Sequence, residues 1–195
     1  NSRGKNIFTK ALTAFPLGQP YDDKGNVNVE FIDGQTSPFG DEMENQYADE
    51  TRTTYANING YLEFTPLKGL SFRSQISTTL NNSRNGRYIG THSLQGVENG
   101  YSAPYAYINN SYGYSYLWDN VLTYKFEPLK GHKVTLTGIT SYSHGQSDNN
   151  NMRASGQPLD SYLFHNMASG ITKFGVQSHY SQNQKMSYAF RLNYI

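Results

Sequence analysis

Six tyrosines crowd one stretch of this chain, Tyr88, Tyr101, Tyr105, Tyr107, Tyr112 and Tyr114, with Asn99, Asn109 and Asn110 interleaved among them. Flat amphipathic rings beside amide groups suit non-covalent recognition of sugars or peptides, because the rings cover apolar faces while the amides meet hydroxyls. Tyr101, Tyr105 and Tyr107 are the candidate substrate contacts. Two other uses compete for the same residue type. Tyr114, with Tyr116 and Trp118 beyond it, fits an aromatic girdle at a membrane edge, and loop rings also pack on one another.

Covalent chemistry has no candidate. The chain has no Cys, which removes disulfides, thiolate catalysis and Cys-based zinc sites. It has no Gly-x-Ser-x-Gly elbow, no His-Glu-x-x-His and no phosphate-binding glycine loop. His92, His132, His144, His165 and His179 are scattered without ligand spacing and read as incidental polar residues. The acidic run Asp41-Glu42-Met43-Glu44, with Asp49 and Glu50 nearby, offers oxygen ligands of the kind calcium takes. So does Asp22-Asp23-Lys24-Gly25-Asn26, which lacks the alternating acidic ladder of an EF-hand. Both read more simply as solvated polar loops, the second a turn with Gly25 at positive φ. No catalytic residue, metal ligand or cofactor is assigned, and the chain is not read as an enzyme.

These residues need a frame, and a repeated turn supplies it. Phe64-Thr65-Pro66-Leu67-Lys68-Gly69 returns as Phe126-Glu127-Pro128-Leu129-Lys130-Gly131. Each copy lies between alternating apolar/polar runs, as a tight turn between antiparallel strands does. Proline removes a donor where a ladder ends, and glycine permits the positive φ that reverses the chain. Five segments alternate with period two: 55–64, 70–80, 116–126, 133–142 and 186–195. Even-numbered positions in them carry Ile58, Leu62, Phe72, Leu122, Leu136, Phe190 and Leu192, and no charged residue. Odd-numbered positions carry Glu63, Arg73, Asp119, Lys125, Lys133 and Arg191.

A charge-free face fits either lipid or the core of a soluble sandwich. Connection lengths separate the two. The turns at 65–69 and 128–132 are short, whereas 81–113 and 145–184 read as long loops, which compact soluble domains seldom carry. Short turns at one end and long loops at the other are the layout of an outer-membrane barrel. The expectation is an all-β fold: about five antiparallel strands of a transmembrane β-barrel, with periplasmic turns. Residues 1–49 and the loops at 81–113 and 145–184 are then extracellular, and 50–195 hold the strands. Five strands cannot close a barrel, so the sequence reads as part of a larger protein; its loop-like start and its stop within a strand pattern agree.

Composition is consistent with this. Mean hydropathy is −0.70, yet 17 residues are Tyr, as expected where only every second strand residue meets lipid. No apolar run reaches the length of a membrane-spanning helix. A net charge of +1 gives no argument for nucleic acid.

The stretch Tyr61-Leu62-Glu63-Phe64-Thr65-Pro66-Leu67-Lys68-Gly69-Leu70-Ser71-Phe72-Arg73-Ser74 resembles the barrel of SusC/RagA-type TonB-linked (TonB-dependent) outer-membrane transporters. Asn1-Ser2-Arg3-Gly4, Pro20-Tyr21-Asp22-Asp23-Lys24-Gly25-Asn26, Asn82-Ser83-Arg84-Asn85-Gly86, Trp118-Asp119-Asn120-Val121-Leu122-Thr123-Tyr124 and Phe190-Arg191-Leu192-Asn193-Tyr194 extend the resemblance in order along the chain. At Ala189 that family often has Gly. The resemblance implies a 22-stranded barrel with an N-terminal plug and TonB box, neither of which is in this sequence. It further implies a SusD-like surface lipoprotein as lid, energy from the TonB complex, and import of an oligosaccharide or peptide across a Gram-negative, Bacteroidetes-type outer membrane. Competing functions are a passive porin or structural barrel, and a soluble β-rich glycan-binding or adhesin module.

Overall fold

The computed structural model describes Thr9, Leu12, Thr13 and residues 18–31 and 34–195; the sequence match at Asn1-Ser2-Arg3-Gly4 and most of the expected 1–49 loop before residue 18 lie outside them. Five antiparallel strands follow one another: β1 (Tyr47–Leu67), β2 (Leu70–Ile89), β3 (Tyr105–Leu129), β4 (His132–Ser155) and β5 (Thr172–Tyr194). They form one sheet in sequence order. The all-β expectation holds, and a two-layered sandwich does not describe this sheet. A helix α1 (Leu94–Glu98) interrupts the β2–β3 connection.

All five alternating segments lie inside these strands, but the strands run 20 to 25 residues. Two bounds are therefore corrected. The loop expected at 81–113 is a connection of residues 90–104, and that expected at 145–184 is one of residues 156–171. The polar run Gln146-Ser147-Asp148-Asn149-Asn150-Asn151 looks like a loop in sequence, yet all of it is in β4. Ladder hydrogen bonds to neighbours on both sides hold such a strand without apolar alternation.

The repeated turns are also tighter than the expected 65–69 and 128–132. Pro66 and Pro128 remain in the strands, and the chain reverses at Lys68-Gly69 and Lys130-Gly131. Gly69 has φ +86° and Gly131 has φ +87°. The shared Pro-Leu-Lys-Gly turn sets the same register twice. Thr51 and Asn85, Thr53 and Ser83, and Asn57 and Thr79 are hydrogen-bonded pairs across β1 and β2, each equidistant from Lys68. Asp119 bonds Ser141 across β3 and β4, and the Tyr116 and His144 rings stack at 5.2 Å; both pairs are equidistant from Lys130. Odd residues thus oppose odd, and even oppose even, so each face stays uniform across its hairpin.

The chain forms two compact units, and every strand contributes to both. The first comprises residues 1–52, 84–110 and 150–178. Its apolar core lies on even-numbered strand positions, where Tyr88, Ala106 and Ile108 are buried beside Ala48 and Met152. The 156–171 connection covers that face with Phe164, flanked by Leu163 and Met167. Gly86 makes this approach feasible, since a Cβ there would sit 2.4 Å from the Phe164 ring. Asp160 anchors the same connection, accepting from Gln46 Nε2 at 2.7 Å and from the Tyr88 hydroxyl at 2.6 Å. The 90–104 connection is pinned differently. Ser93 caps α1, accepting from Gly96 N–H at 3.0 Å, and Asp41 Oδ1 accepts from Leu94 N–H at 2.8 Å.

The second unit comprises residues 53–83, 111–149 and 179–195. Its even face is exposed, with Leu62 81% and Phe190 72% accessible. Its odd face is polar: Asn57 bonds Thr79, the Arg73 guanidinium lies 4.1 Å over the Tyr61 ring, and Arg191 Nε donates to Asn193. Tyr114, Tyr116 and Tyr142 gather around His144 on the even face, and Trp118 Nε1 donates to Ser74 at 2.9 Å. This is a two-faced wall, apolar on one side and polar on the other.

Candidate functional site

A concave recess of about 1090 Å³ lies within the first unit. Most of its strand-borne walls use the odd parity: Asp49 and Thr51 from β1, Asn85, Arg87 and Ile89 from β2, Tyr105 and Tyr107 from β3, and Arg153 from β4, with the even-numbered Glu50 and Arg52 of β1 at its border. Gln95 and Tyr101 complete it from the 90–104 connection. The apolar core of this unit occupies the even positions of the same strands, so alternation sends packing residues one way and these polar groups the other.

The three sequence-predicted residues meet here. Tyr101 and Tyr105 have ring centroids 6.2 Å apart with planes inclined at 37°. Tyr107 donates from its hydroxyl to Asn151 Oδ1 at 3.0 Å, and the Arg153 guanidinium lies 5.6 Å from its ring centroid. Hydrogen bonding and cation–π contact orient the Tyr107 ring in the wall. The other tyrosines of the cluster go elsewhere. Tyr88 is buried in the core, and Tyr112 and Tyr114 pack against each other in the second unit. Asn109 shares the parity of the recess, Asn110 has the opposite parity, and Asn99 ends α1.

Charged and amide groups surround the rings. Arg87 Nη2 donates to the Tyr47 hydroxyl at 3.2 Å, while its Nε lies 3.8 Å from Asp49 Oδ2 without a hydrogen-bond acceptor. Asn85 Nδ2 donates to Asp49 Oδ1 at 3.0 Å and to Thr51 Oγ1 at 2.9 Å. Glu50 and Arg52 pair at 3.4 Å, with their side chains 48% and 81% exposed, so solvent takes most of that attraction. Sequence reasoning missed Arg87, Arg153, Asn85 and Asp49 as site residues. They sit 14 to 52 positions from the nearest of the three tyrosines, in segments assigned to loops. Continuing the odd parity of β2 and β4 outward would have found three of them.

The remaining candidate ligands do not gather. Asp41 is buried as the partner of Leu94 N–H. Asp22 accepts from Asn26 Nδ2 and from the Lys24 and Asn26 N–H groups, and the Asn26 bonds hold its carboxyl below the usual range. Gly25 has φ +82°, as the turn reading requires. Among the described residues no three His, Asp or Glu side chains come together as metal ligands. The recess presents rings, guanidinium groups and amides, groups that make reversible contacts.

The one-sheet architecture, with an apolar face, a polar face, tight turns and much longer connections, defines a segment of transmembrane-type β-barrel wall. Two curated proteins of Formosa agariphila align with it in sequence. TonB-dependent receptor P3 is 25% identical over 161 residues, 80% of this chain. TonB-dependent receptor P26 is 26% identical over 192 residues, 96% of it. The chain spans only 16% and 19% of their lengths. Among solved structures, one described as the RagAB peptide transporter superposes with a TM-score of 0.70 at 18% identity, covering 90% of this chain and 20% of that one. The RagAB peptide importer in its "closed-closed" state gives 0.71 at 18% identity, with the same coverage. No family model matches. In sequence and in fold, the chain thus resembles the barrel of SusC/RagA-type TonB-dependent transporters.

Proposed function

We propose that this chain is part of the barrel wall of a TonB-dependent outer-membrane transporter that imports oligosaccharides or peptides, with Tyr101, Tyr105 and Tyr107 contacting the substrate. The observation that carries the reading is the convergence of those three rings, Tyr105 and Tyr107 from β3 and Tyr101 from the 90–104 connection, in one polar recess. In a closed barrel the even face, with Leu62 and Phe190, meets lipid, and the odd face lines the lumen. The Lys68-Gly69 and Lys130-Gly131 turns face the periplasm, and the 90–104 and 156–171 connections face the exterior, as their lengths favour. A SusD-like surface lipoprotein covers the mouth, and the TonB complex supplies energy through segments outside this sequence. The named relatives support the transporter class, and the RagAB structures support a peptide as one substrate type. The relatives' names, receptor and transporter, support passage of the cargo and not its turnover.

Two experiments test this reading. Replacing Tyr101, Tyr105 and Tyr107 together by Ala in the full-length transporter should weaken substrate binding while the amount of protein in the outer membrane stays unchanged. Unaltered affinity in an assembled protein would assign the rings to packing. Epitope tags near Asn99 and near Gly170 should label on intact cells and a tag at Lys68 should not; the reverse pattern overturns the orientation.

A further inference from the structure

The recess has more positive than negative groups, and the surplus is one residue. Its ionised side chains are Asp49 and Glu50 against Arg52, Arg87 and Arg153. Glu50 lies 3.4 Å from Arg52, and Asp49 lies 3.8 Å from Arg87. Those pairings leave Arg153. Its contact among the described residues is the face of the Tyr107 ring, 5.6 Å from the guanidinium carbon, and its side chain is exposed. A ring face orients a guanidinium without using its in-plane donors, which leaves the planar fork open to a two-oxygen acceptor. The second cation is also under-used, because Arg87 Nε is buried with no hydrogen-bond acceptor.

We infer that this recess selects a carboxylate-bearing ligand, with Arg153 taking the carboxylate beside the Tyr107 ring and Tyr101 and Tyr105 holding the adjoining unit. This inference rests on the substrate role proposed for the three tyrosines and adds the charge of the cargo. The carboxylate can come from an acidic sugar or from a peptide, and the chemistry at Arg153 is common to both. Arg153 is a specificity-determining residue here. Its neighbour Asn151, which accepts from the Tyr107 hydroxyl at 3.0 Å, keeps the supporting ring in place.

The test uses the full-length transporter purified in detergent, calorimetric titration, and two matched probe pairs: trigalacturonate with an uncharged galactotriose, and an acidic pentapeptide with its amidated, uncharged counterpart. Wild type should bind the charged member of at least one pair about tenfold more tightly, as a charge-assisted bidentate contact provides, and the margin should shrink as salt rises. Arg153→Gln should remove that margin by weakening the charged member about tenfold and the uncharged member far less. Arg153→Lys should keep part of it, because the charge remains and the planar fork does not. The responding pair identifies the source of the carboxylate. Charge discrimination that survives in Arg153→Gln, or a wild type that discriminates in neither pair or binds no probe, overturns the inference. If the tyrosine triple variant loses uncharged ligand while Arg153→Gln changes nothing, the aromatic site stands and only the charge assignment fails. If Arg153→Gln acts and the tyrosine variant does not, the aromatic contacts are what fails.

Discussion

Replacing Phe164 by Ala should release the 156–171 connection from the sheet without unfolding the strands. The ring is 3% exposed and packs with Tyr88, Ala106 and Ile108. Removing a buried Phe side chain costs about 3–5 kcal/mol, and little of that can be regained by collapse, because the opposing wall is hydrogen-bonded strand backbone at Gly86. The loss falls on docking of the connection, since the ladders of β1 to β4 are untouched. At about 1.4 kcal/mol per decade, amides of residues 156–171 should exchange with solvent faster by roughly two to three and a half orders of magnitude, up to the limit of their original protection. Hydrogen exchange with mass spectrometry on the full-length protein reads this directly. Gly86→Ala should reach the same end from the other side, because its Cβ would lie 2.4 Å from the ring against an ordinary contact of at least 3.4 Å, forcing the ring back by about 1.0 Å. The two changes share one contact, so they should not add. In a Phe164→Ala background, Gly86→Ala should have almost no further effect. Unchanged exchange of 156–171 in both single variants, or full additivity in the double, would refute this account of how the connection is seated.

The turn glycines should differ in sensitivity although their conformations match. Gly69→Ala must place a Cβ 2.1 Å from the Lys125 carbonyl oxygen as well as adopt φ +86°, whereas Gly131→Ala meets open space and bears only the left-handed strain of about 1–2 kcal/mol; heat-modifiability on gels should show the larger loss at Gly69, and equal losses would mean that the hairpins differ from their described packing. On the wall, Leu62→Arg should destabilise the assembled barrel by about 2–4 kcal/mol if it lies near the midplane, while Asn59→Arg should be tolerated. Unfolding titrations in lipid that find both equally harmful would remove the case for a lipid face and a lumen face.

Much of this architecture is written in local sequence. The period-two runs located all five strands, because a strand whose faces meet different media must alternate. The Pro-Leu-Lys-Gly repeat located both tight turns and, through glycine's tolerance of positive φ, their shared register. What the sequence left out is where the strands stop. In the 84–89, 105–110 and 150–155 segments the apolar face is sealed by a connection and not by lipid, so a few small or aromatic residues, Gly86, Tyr88, Ala106 and Ala154, replace the regular aliphatic pattern. Those segments read as loop until Phe164 is seen lying on them. The site divides along the same line. Tyr101, Tyr105 and Tyr107 were legible because they are neighbours in sequence and of a type suited to ligand contact. Arg87 and Arg153 were not, because each belongs to a different strand and only the cross-strand register brings them to the same recess. Local chemistry determined the elements and the aromatic half of the site; pairing of distant strands decided its charge.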